Sequence, residues 1–434
     1  MKKSEHGQAL ILLVMAVVGM LGFTALAIDG GMIYSDRRIT QNAADAASLA
    51  GAATAGQIIK GVKVANWNCG SGDVASAQTE AIKEAGNSAN SNDFPVSSGN
   101  VSITTACNNS EKYIDVKVEI TKETQTAFAH FVFGGSPVNT VYAVARVYGQ
   151  DYFGGGNAII ALKDTCTSQE GGVTFGGTIS VTVTGGNVYS NACLVFQGTP
   201  GKIDASGGDI FYITDIITTS GKKEVNPDPT KIYTPLELPA VDDPDCENLP
   251  DINSPKNHSG SGILDQGNYN NIKLSAAGGD LTLNPGLYCI HGDLVINGGT
   301  FTANDVTFFF PKDAGKFSTA GGAVVDLSAP PPGCELDGST MNCPPSIGGM
   351  LIYYLPEYSP SSGLFLGGTS GSSYTGTIYA PNSTIDVQGD AFEESPLGAQ
   401  LIGRTVDIHG TTDINIQYQP ENNFPTPPHL RLQE

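Results

Sequence analysis

Near the amino terminus, an uncharged apolar run extends from Ala9 to Ile28. Lys2 and Lys3 precede this run, and Asp29 ends it. As a helix it would be roughly 30 Å long, which matches the hydrocarbon core of a bilayer. The apolar region of a signal peptide is shorter, about 7–15 residues, so the pattern favours an uncleaved signal anchor over a cleaved signal. The predicted membrane-anchor positions include Ala9, Leu13, Val17, Leu21, Leu26 and Ile28.

The helical pattern continues past the apolar run to about Ile59. Ala43, Ala46, Ala47 and Ala50 recur at i, i+3, i+4 and i+7, so they share one face of a helix. Small side chains on such a face let another helix approach closely. Alanine is also a good helix former in any context, and both interpretations stay open.

The same segment resembles a known family. Gly7-Gln8-Ala9 opens the apolar run, Ile28-Asp29-Gly30-Gly31 ends it, and Gln-Asn-Ala-Ala-Asp-Ala-Ala-Ser-Leu-Ala-Gly-Ala follows at residues 41–52. This block resembles the N-terminal domain of the TadE/TadG-like proteins of Flp pilus assembly, over roughly the first 60 residues. The resemblance implies a single-pass inner-membrane anchor in a tight-adherence pilus system, with the lipid bilayer and Tad/Flp pilus assembly proteins as partners.

We also predict a helix-packing motif that contacts neighbouring helices of the assembly. Its positions are Asp29, Gly30, Gln41, Asn42, Ala43, Asp45, Ala46, Ala47 and Ala50. A processed minor pilin is an alternative. Pseudopilins of such systems carry Glu five residues after the processing Gly, but counted from Gly7 that position is Leu12.

Residues 60–150 combine a short helical pattern at 78–89 with three strand patterns, at 101–106, 113–119 and 138–148. Alternating or β-branched runs of this kind are typical of strands. We therefore predict a small α+β domain between the anchor and the rest of the chain.

Gly-Gly pairs recur in residues 151–420, among them those that begin at 185, 207, 278, 298, 321, 348 and 367. A period near 22, with β-branched and aromatic stretches between the pairs, predicts a parallel β-helix-like solenoid. A β-sandwich, whose turns also recur regularly, is the alternative. Prolines concentrate at about 219–262 and predict an extended insertion, and the Pro-rich tail at 421–434 is expected to be loosely ordered. The fold class is thus mainly β, after an N-terminal transmembrane helix in residues 1–59.

The net charge of −21 disfavours nucleic acid as a partner, because an acidic surface repels phosphate. The eight cysteines form no CxxC pair, and together with the export signal they predict disulfides in an oxidising compartment. The positive-inside rule does not decide the orientation, because Lys2 and Lys3 lie on one side of the apolar run and Arg37 and Arg38 lie on the other. The cysteines therefore decide it, and we predict a short cytoplasmic N-terminus with the rest of the chain outside the membrane. In sequential order the candidate pairs are Cys69 with Cys107, Cys166 with Cys193, Cys246 with Cys289, and Cys334 with Cys343.

Some parallel β-helices are polysaccharide lyases or hydrolases, and glycoside hydrolysis needs two carboxylates that face one cleft. Five aspartates could line one face of the solenoid, but their alternation with glycine turns explains them as solvated corners: Asp280, Asp293, Asp305, Asp386 and Asp407. A solvated loop likewise explains the acidic residues Asp242, Asp243, Asp245 and Glu247 better than a calcium site does. We therefore predict no catalytic, cofactor or metal site, and a structural role in a pilus or in surface attachment. The alternative is a carbohydrate-binding or carbohydrate-active β-helix protein, with surface glycans as partners.

Overall fold

The computed structural model describes most of the chain. The described residues are 6–60, 62, 66–129, 134–149, 151–167, 171–198, 201–219, 224–244, 246–251, 253–312, 314–332, 346–357, 363–388, 392, 395–426 and 428–433. Cys334 and Cys343, the fourth predicted disulfide pair, lie outside these residues.

Two α-helices and 29 strands are defined within the described residues. The helices are α1 (His6–Ile59) and α2 (Gly72–Ser91), and short 3-10 turns occur at Val96–Ser98, Phe153–Gly156 and Pro420–Asn422. The strands are β1 (Val101–Asn108), β2 (Tyr113–Glu123), β3 (Val138–Tyr148), β4 (Asp151–Tyr152), β5 (Asn157–Ala161), β6 (Val173–Gly177), β7 (Val181–Thr184), β8 (Asn187–Ser190), β9 (Leu194–Phe196), β10 (Lys202–Asp204), β11 (Ile210–Tyr212), β12 (Ile216–Thr218), β13 (Glu224–Asn226), β14 (Thr230–Lys231), β15 (Lys256–Ser259), β16 (Gly262–Leu264), β17 (Gly267–Leu274), β18 (Asp280–Leu283), β19 (Gly286–Ile290), β20 (Leu294–Ala303), β21 (Val306–Phe310), β22 (Phe317–Ser328), β23 (Met350–Tyr354), β24 (Leu364–Leu366), β25 (Ser373–Gln388), β26 (Gly398–Gly410), β27 (Ile414–Gln417), β28 (Pro425–Thr426) and β29 (Leu430–Gln433).

The chain divides into two compact units. Unit 1 comprises Met1–Asp151 and Pro427–Glu434, and unit 2 comprises Tyr152–Thr426. The chain therefore passes from one unit to the other twice, once on each side of unit 2. Each unit has its own hydrophobic core.

Unit 1 is built on a four-stranded sheet in the order β1-β2-β3-β29, with every neighbouring pair antiparallel. In β2 the side chains alternate between the core and the surface, and Ile114, Val116, Val118 and Ile120 are fully buried. This period of two places one apolar face of the sheet against the helices. The carboxyl-terminal half of α1 and the alanine face of α2 supply the rest of the core.

The fourth strand of this sheet comes from the predicted tail. Leu430 to Gln433 pair with Val147 to Val144 on β3, and the ring of His429 stacks on Tyr148 with centroids 4.7 Å apart. The expectation of a loosely ordered tail is therefore wrong for these residues. Without β29, the backbone N–H and C=O groups along this edge of β3 would have no strand partner. The tail pairs with β3 because it satisfies these groups.

Unit 2 is a solenoid-like stack of parallel strands, and the fold-class prediction is confirmed. The ladders among β5–β27 that form the stack are parallel, unlike the antiparallel sheets of the alternative β-sandwich. In the carboxyl-terminal parts of β25 and β26, buried residues alternate with outward-facing ones, and the buried set includes Ile385, Val387, Val406 and Ile408. We call each level of strands in the solenoid a rung. Aromatic rings stack between neighbouring rungs, as in the pair Phe310 and Tyr354, whose centroids are 4.3 Å apart.

The rungs of the solenoid do not follow chain order. The first strand of unit 2 to enter the stack, β5, lies between β8 and the late strand β26. From β5 the chain moves through β8 and β11 to β14 at one end. It then re-enters at the opposite end with β15 and β16, and returns rung by rung through β17, β19, β21, β23 and β25 to β26.

The Pro-rich segment makes this order possible. We call residues 232–251, which the structure describes except for 245, the strap. The rungs from β14 to β17 repeat every ~4.8 Å and span roughly 45 Å. An extended chain from β14 to β15 reaches roughly 80 Å, so it can run back along the whole stack. The predicted insertion at 219–262 is narrower in the structure, because β13, β14, β15 and β16 within it are rungs of the stack.

The strap is held at several points along its path. The Tyr189 hydroxyl donates to the Thr234 carbonyl at 2.7 Å, and Asn191 makes a reciprocal pair with the backbone of Leu236 at 2.8 and 3.0 Å. Farther along, the Tyr353 hydroxyl donates to the Val241 carbonyl at 3.1 Å and to an Asp243 carboxylate oxygen at 2.7 Å. Strap residues Val241 and Leu249 also join an apolar cluster with Phe309, Tyr353 and Tyr379 on the outside of the stack.

Candidate functional site

The amino-terminal part of α1 is an apolar rod whose large apolar side chains, among the described residues, are exposed. Five of the six predicted anchor side chains are exposed: Leu13, Val17, Leu21, Leu26 and Ile28. The sixth, Ala9, lies in α1, but its side chain is outside the described set. By length and composition, α1 from Leu10 is the one helix in the described part of the chain that could cross a membrane. Its apolar window, with a mean hydropathy of 2.6, is 0% buried.

Asp29, the first charged residue after the apolar run, is clamped by a turn from far along the chain. Its carboxylate accepts backbone N–H groups from Ala127 at 2.7 Å, from Phe128 at 3.0 Å and from Ala129. Asp29 is 4% exposed. Hydrogen bonds to an ionised acceptor are about twice as strong as neutral ones. The carboxylate therefore fixes the 126–129 turn to α1 at the point where the apolar rod ends.

Two helical turns beyond Asp29, a second polar contact joins α1 to the sheet. The Lys122 ammonium donates to the Asp36 carboxylate at 2.9 Å. This hydrogen bond lowers the pKa of Asp36 below its ordinary value, while partial burial opposes the shift. Gln41, one further turn along, donates to the Tyr142 carbonyl at 3.2 Å and to Asp45 at 2.8 Å. Polar contacts from β2 and β3 thus continue along α1 beyond the end of the rod.

The predicted helix-packing motif is used largely inside unit 1. Ala43 and Ala47 are buried in its core, Ala50 is half-buried, and Ala46 and Asn42 point outward and are exposed. Gly30 is exposed on α1, and Asp45 is half-buried beside Gln41. The small side chains let α2 and the sheet approach α1 closely. Contact with neighbouring helices of an assembly stays a prediction for the outward-facing positions.

The comparison with protein-family models bears on this same helix. Residues 7–54 match the family described as putative Flp pilus-assembly TadE/G-like. The N-terminal segment of this chain is TadE/G-like. This finding confirms the resemblance and supports a pilus-related role. No curated protein and no solved structure shows significant similarity to the chain.

The polar contacts of Asp29 and Asp36 join the TadE/G-like segment to residues outside its matched range. We call the contacts of Asp29 with the 126–129 turn the clamp. Asp29 and Asp36 lie within residues 7–54, whereas their partners Ala127, Phe128 and Lys122 come from the sheet and its loop. Sequence analysis placed Asp29 in a packing motif but did not find these partners. Backbone amides have no sequence signature, so the one available signal was a lone carboxylate at the end of an apolar run.

Three of the four predicted disulfides are formed, and all three lie beyond the TadE/G-like segment. Cys69–Cys107 joins the start of α2 to β1 in unit 1, and Cys166–Cys193 joins neighbouring rungs of the solenoid. Cys246–Cys289 fixes the strap to β19. Beside this last bridge, the buried side chain of Asn268 donates to the carbonyls of Cys246 and Pro250, both at 3.0 Å. Disulfides of this kind are typical of oxidising compartments.

The solenoid carboxylates lie mostly apart from one another, with one exception. Asp386 and Asp407 are register partners on β25 and β26, and His409 Nδ1 lies 3.6 Å from an Asp386 carboxylate oxygen. Burial raises the pKa of Asp386; His409 opposes this shift and Asp407 adds to it. On the next two rungs, Phe365 and then Ser318 occupy the position that corresponds to Asp386.

The other predicted carboxylates are spread over the solenoid and the strap, and some of them hold local structure. Asp293 accepts the backbone N–H of Lys316 at 3.1 Å, and Asp305 occupies a turn with φ of 58°. Asp280 begins β18, where it pairs with Thr300, and Asp243 accepts from Tyr353. Asp242 and Glu247 lie on the strap, and Asp245 is outside the described residues. Within the described residues, no group of three or more His, Cys, Asp or Glu is placed to hold a metal ion.

Proposed function

We propose that this protein is a membrane-anchored component of a Flp-type pilus or surface-attachment system, with a structural rather than a catalytic role. Residues Ala9–Ile28 cross the bilayer, the N-terminus is cytoplasmic, and the solenoid lies outside the membrane. The observation that carries the proposal is the exposed apolar rod of a helix whose residues 7–54 match the TadE/G-like family.

Two further features support the orientation and the role. The disulfides of both units suit an oxidising compartment outside the cytoplasm. The regular stack of rungs, with a strap fixed along it, gives a stiff and elongated module of the kind that suits surface contact.

Membrane extraction tests the anchor. A lysine at the centre of a transmembrane helix costs about 2.5–3.5 kcal/mol of insertion free energy. We expect the wild type to stay in the membrane pellet after an alkaline carbonate wash, and the double variant Val17→Lys/Leu21→Lys to move to the supernatant. Tyr233→Lys, at a residue that is 85% exposed in unit 2, is the matched control and should stay in the pellet. Wild-type protein in the supernatant would contradict the anchor.

Protease protection and complementation test the orientation and the role. Protease added to spheroplasts of the source cell should digest both units and leave the rod. A strain that lacks the protein should lose its Flp pili and regain them with the wild type or with Tyr233→Lys, but not with the double lysine variant. Normal piliation of the strain without the protein would contradict the proposed role.

A cleft on the solenoid favours glycan binding as a second candidate function. It has a volume of about 420 Å³ and is lined by Lys316, Ser318, Gly363, Phe365, Thr384 and Asp386. An aromatic ring among hydroxyl and charged groups suits the mixed apolar and polar faces of a sugar. Calorimetric titration of the full-length protein with neutral and acidic oligosaccharides tests this candidate.

Phe365→Ala should abolish the glycan binding, and Tyr233→Ala, far from the cleft in sequence, should leave it unchanged. An absence of heat with every oligosaccharide would contradict the glycan candidate. Release of new reducing or unsaturated ends would contradict the proposed absence of catalysis.

A further inference from the structure

The clamp on Asp29 fixes the depth of the 126–129 turn relative to the apolar rod. Asp29 directly follows Ile28, the last residue of the apolar run, and the turn donates three backbone N–H groups to its carboxylate. These backbone atoms therefore lie within hydrogen-bond distance of the end of the rod. If the rod fills the hydrocarbon core, the turn lies at the boundary between hydrocarbon and headgroups.

This turn presents an aromatic side chain to its surroundings. Phe128 is 47% exposed, although its own backbone N–H is fixed on Asp29. On α1, the exposed side chains of Met32 and Tyr34 follow Asp29 by three and five residues. At 1.5 Å per residue they lie roughly 4 to 8 Å beyond it. The headgroup region is roughly 5–7 Å thick on each side, so all three side chains fall at the depth of this region.

The charged groups nearest to the turn do not oppose such a position. Lys122 and Asp36 pair with each other, and the carboxylate of Asp29 is covered by the turn itself. Glu123, at the end of β2, and Arg37 and Arg38 on α1 are exposed, so their charged groups can stay hydrated. Aromatic side chains are favoured where one end of a site is apolar and the other is wet, as in the interfacial belts of membrane proteins.

We propose that Phe128 is a second point of membrane contact, which inserts among the lipid headgroups beside the anchor. This inference rests on the proposed membrane anchor. Because α1 continues into the core of unit 1, the unit tilts together with the rod, and attachment through the rod alone would leave the tilt of both relative to the bilayer unset. With the turn fixed to Asp29 and Phe128 held by lipid, two points of attachment set the tilt of unit 1 against the bilayer surface.

Quenching of tryptophan fluorescence by brominated lipid tests the contact on the full-length protein in liposomes. The wild type has one tryptophan, Trp67, which is buried in the core of unit 1 and supplies the baseline spectrum for subtraction. We compare Phe128→Trp, Tyr142→Trp and Leu21→Trp in two phosphatidylcholines, one brominated high on the acyl chain and one brominated farther down the chain, at the depth of Leu21. Tyr142 is the matched control, because it is an exposed aromatic residue (64%) in the middle of β3.

We expect the added emission of Phe128→Trp to fall roughly twofold in brominated lipid, since an interfacial aromatic ring contacts the upper acyl chain. The emission of Leu21→Trp should also fall, and that of Tyr142→Trp should not change. Quenching at 21 with none at 128 would overturn the second contact and leave the anchor intact. An absence of quenching at 21 would overturn the anchor itself, and the second contact with it.

Discussion

Gly51 of α1 lies directly against the backbone of Ala81 in α2. A Cβ placed on Gly51 would be 2.7 Å from the Ala81 carbonyl oxygen and 3.1 Å from the Cβ of Ala85. Atoms that close overlap, so one of the two helices would have to move. The close approach of α1 and α2 therefore depends on the missing side chain at this one position, within the segment that matches the TadE/G-like family.

Gly51→Ala should destabilise unit 1 by about 1–3 kcal/mol, because overpacking of a core forces backbone shifts. Denaturant unfolding in detergent micelles, followed by the fluorescence of Trp67, measures this free energy. The matched control is Gly31→Ala on the same helix, where an added Cβ meets no atom within 4 Å. The control should cause no loss, since alanine is the better helix former. Equal stability of the two variants would contradict the close-packing interpretation.

Asp29→Ala should release the 126–129 turn from α1. Three backbone N–H groups would lose an ionised acceptor, and one hydrogen bond to a charged group contributes about 1.5–3 kcal/mol. We expect faster hydrogen exchange of the amides of Ala127, Phe128 and Ala129, measured by mass spectrometry of a peptide that covers them. Asp45→Ala serves as the control, because Asp45 accepts from the Gln41 side chain on its own helix. Unchanged exchange in Asp29→Ala would show that the turn is held by other contacts.

The sequence predicted those parts of the fold that depend on local pattern. The apolar rod is visible in residues 9–28 because hydropathy there is uniform, and the strands of unit 1 follow from alternation in runs such as Ile114 to Ile120. The Gly-Gly period predicted a solenoid because each turn of the stack needs a corner. Three cysteine pairs followed from sequential order, because each joins segments that are close in both sequence and space.

The sequence did not predict features that depend on distant pairing. Any order of the rungs has the same period, so no local signal places β5 between β8 and β26. Likewise, the partners of Asp29 are backbone amides about a hundred residues away. The tail was expected to be loose because it is Pro-rich, but Leu430–Gln433 still find a free sheet edge on β3.

The ion pair of Asp36 and Lys122 predicts a pH dependence of unit 1. The hydrogen bond from Lys122 holds the pKa of Asp36 below its ordinary value of 3.8. The folded state thus binds the proton less readily than the unfolded state does. The stabilisation is fully present above pH 3.8 and is lost as the pH falls through the lower folded-state pKa.

Asp36→Asn should therefore reduce the unfolding free energy of unit 1 at pH 6 and reduce it less at pH 3. Trp67 fluorescence in denaturant at the two pH values measures both. Glu80→Gln, which breaks the exposed pair with Lys83 on α2, is the control, and exposed pairs of this kind contribute about 0–1 kcal/mol. The same loss at both pH values would contradict the role of the Asp36 carboxylate.

The strap covers an apolar face of the solenoid, where Val241 and Leu249 pack against Phe309 and Tyr353. The double variant Cys246→Ser/Cys289→Ser opens a loop whose ends are 43 residues apart, and the chain-entropy model assigns such a loop roughly 4 kcal/mol. Asn268→Ala leaves the bridge intact but removes the side-chain amide that donates to the carbonyls of Cys246 and Pro250. Each carbonyl keeps a backbone N–H donor, from Leu249 and from residue 268 itself, so the loss is that of ordinary hydrogen bonds, about 0.5–1.5 kcal/mol each.

Both variants should make the strap more accessible to protease between Thr234 and Pro250, as measured by mass spectrometry of the first cleavage products. Cys69→Ser/Cys107→Ser, which opens a bridge of similar length in unit 1, should leave strap cleavage unchanged. Because the strap returns the chain to the far end of the stack, its release also frees the terminal strands β15 and β16. Hydrogen exchange should therefore rise at Lys256–Leu264 before it rises at β25 and β26, and a uniform rise along the stack would contradict this order.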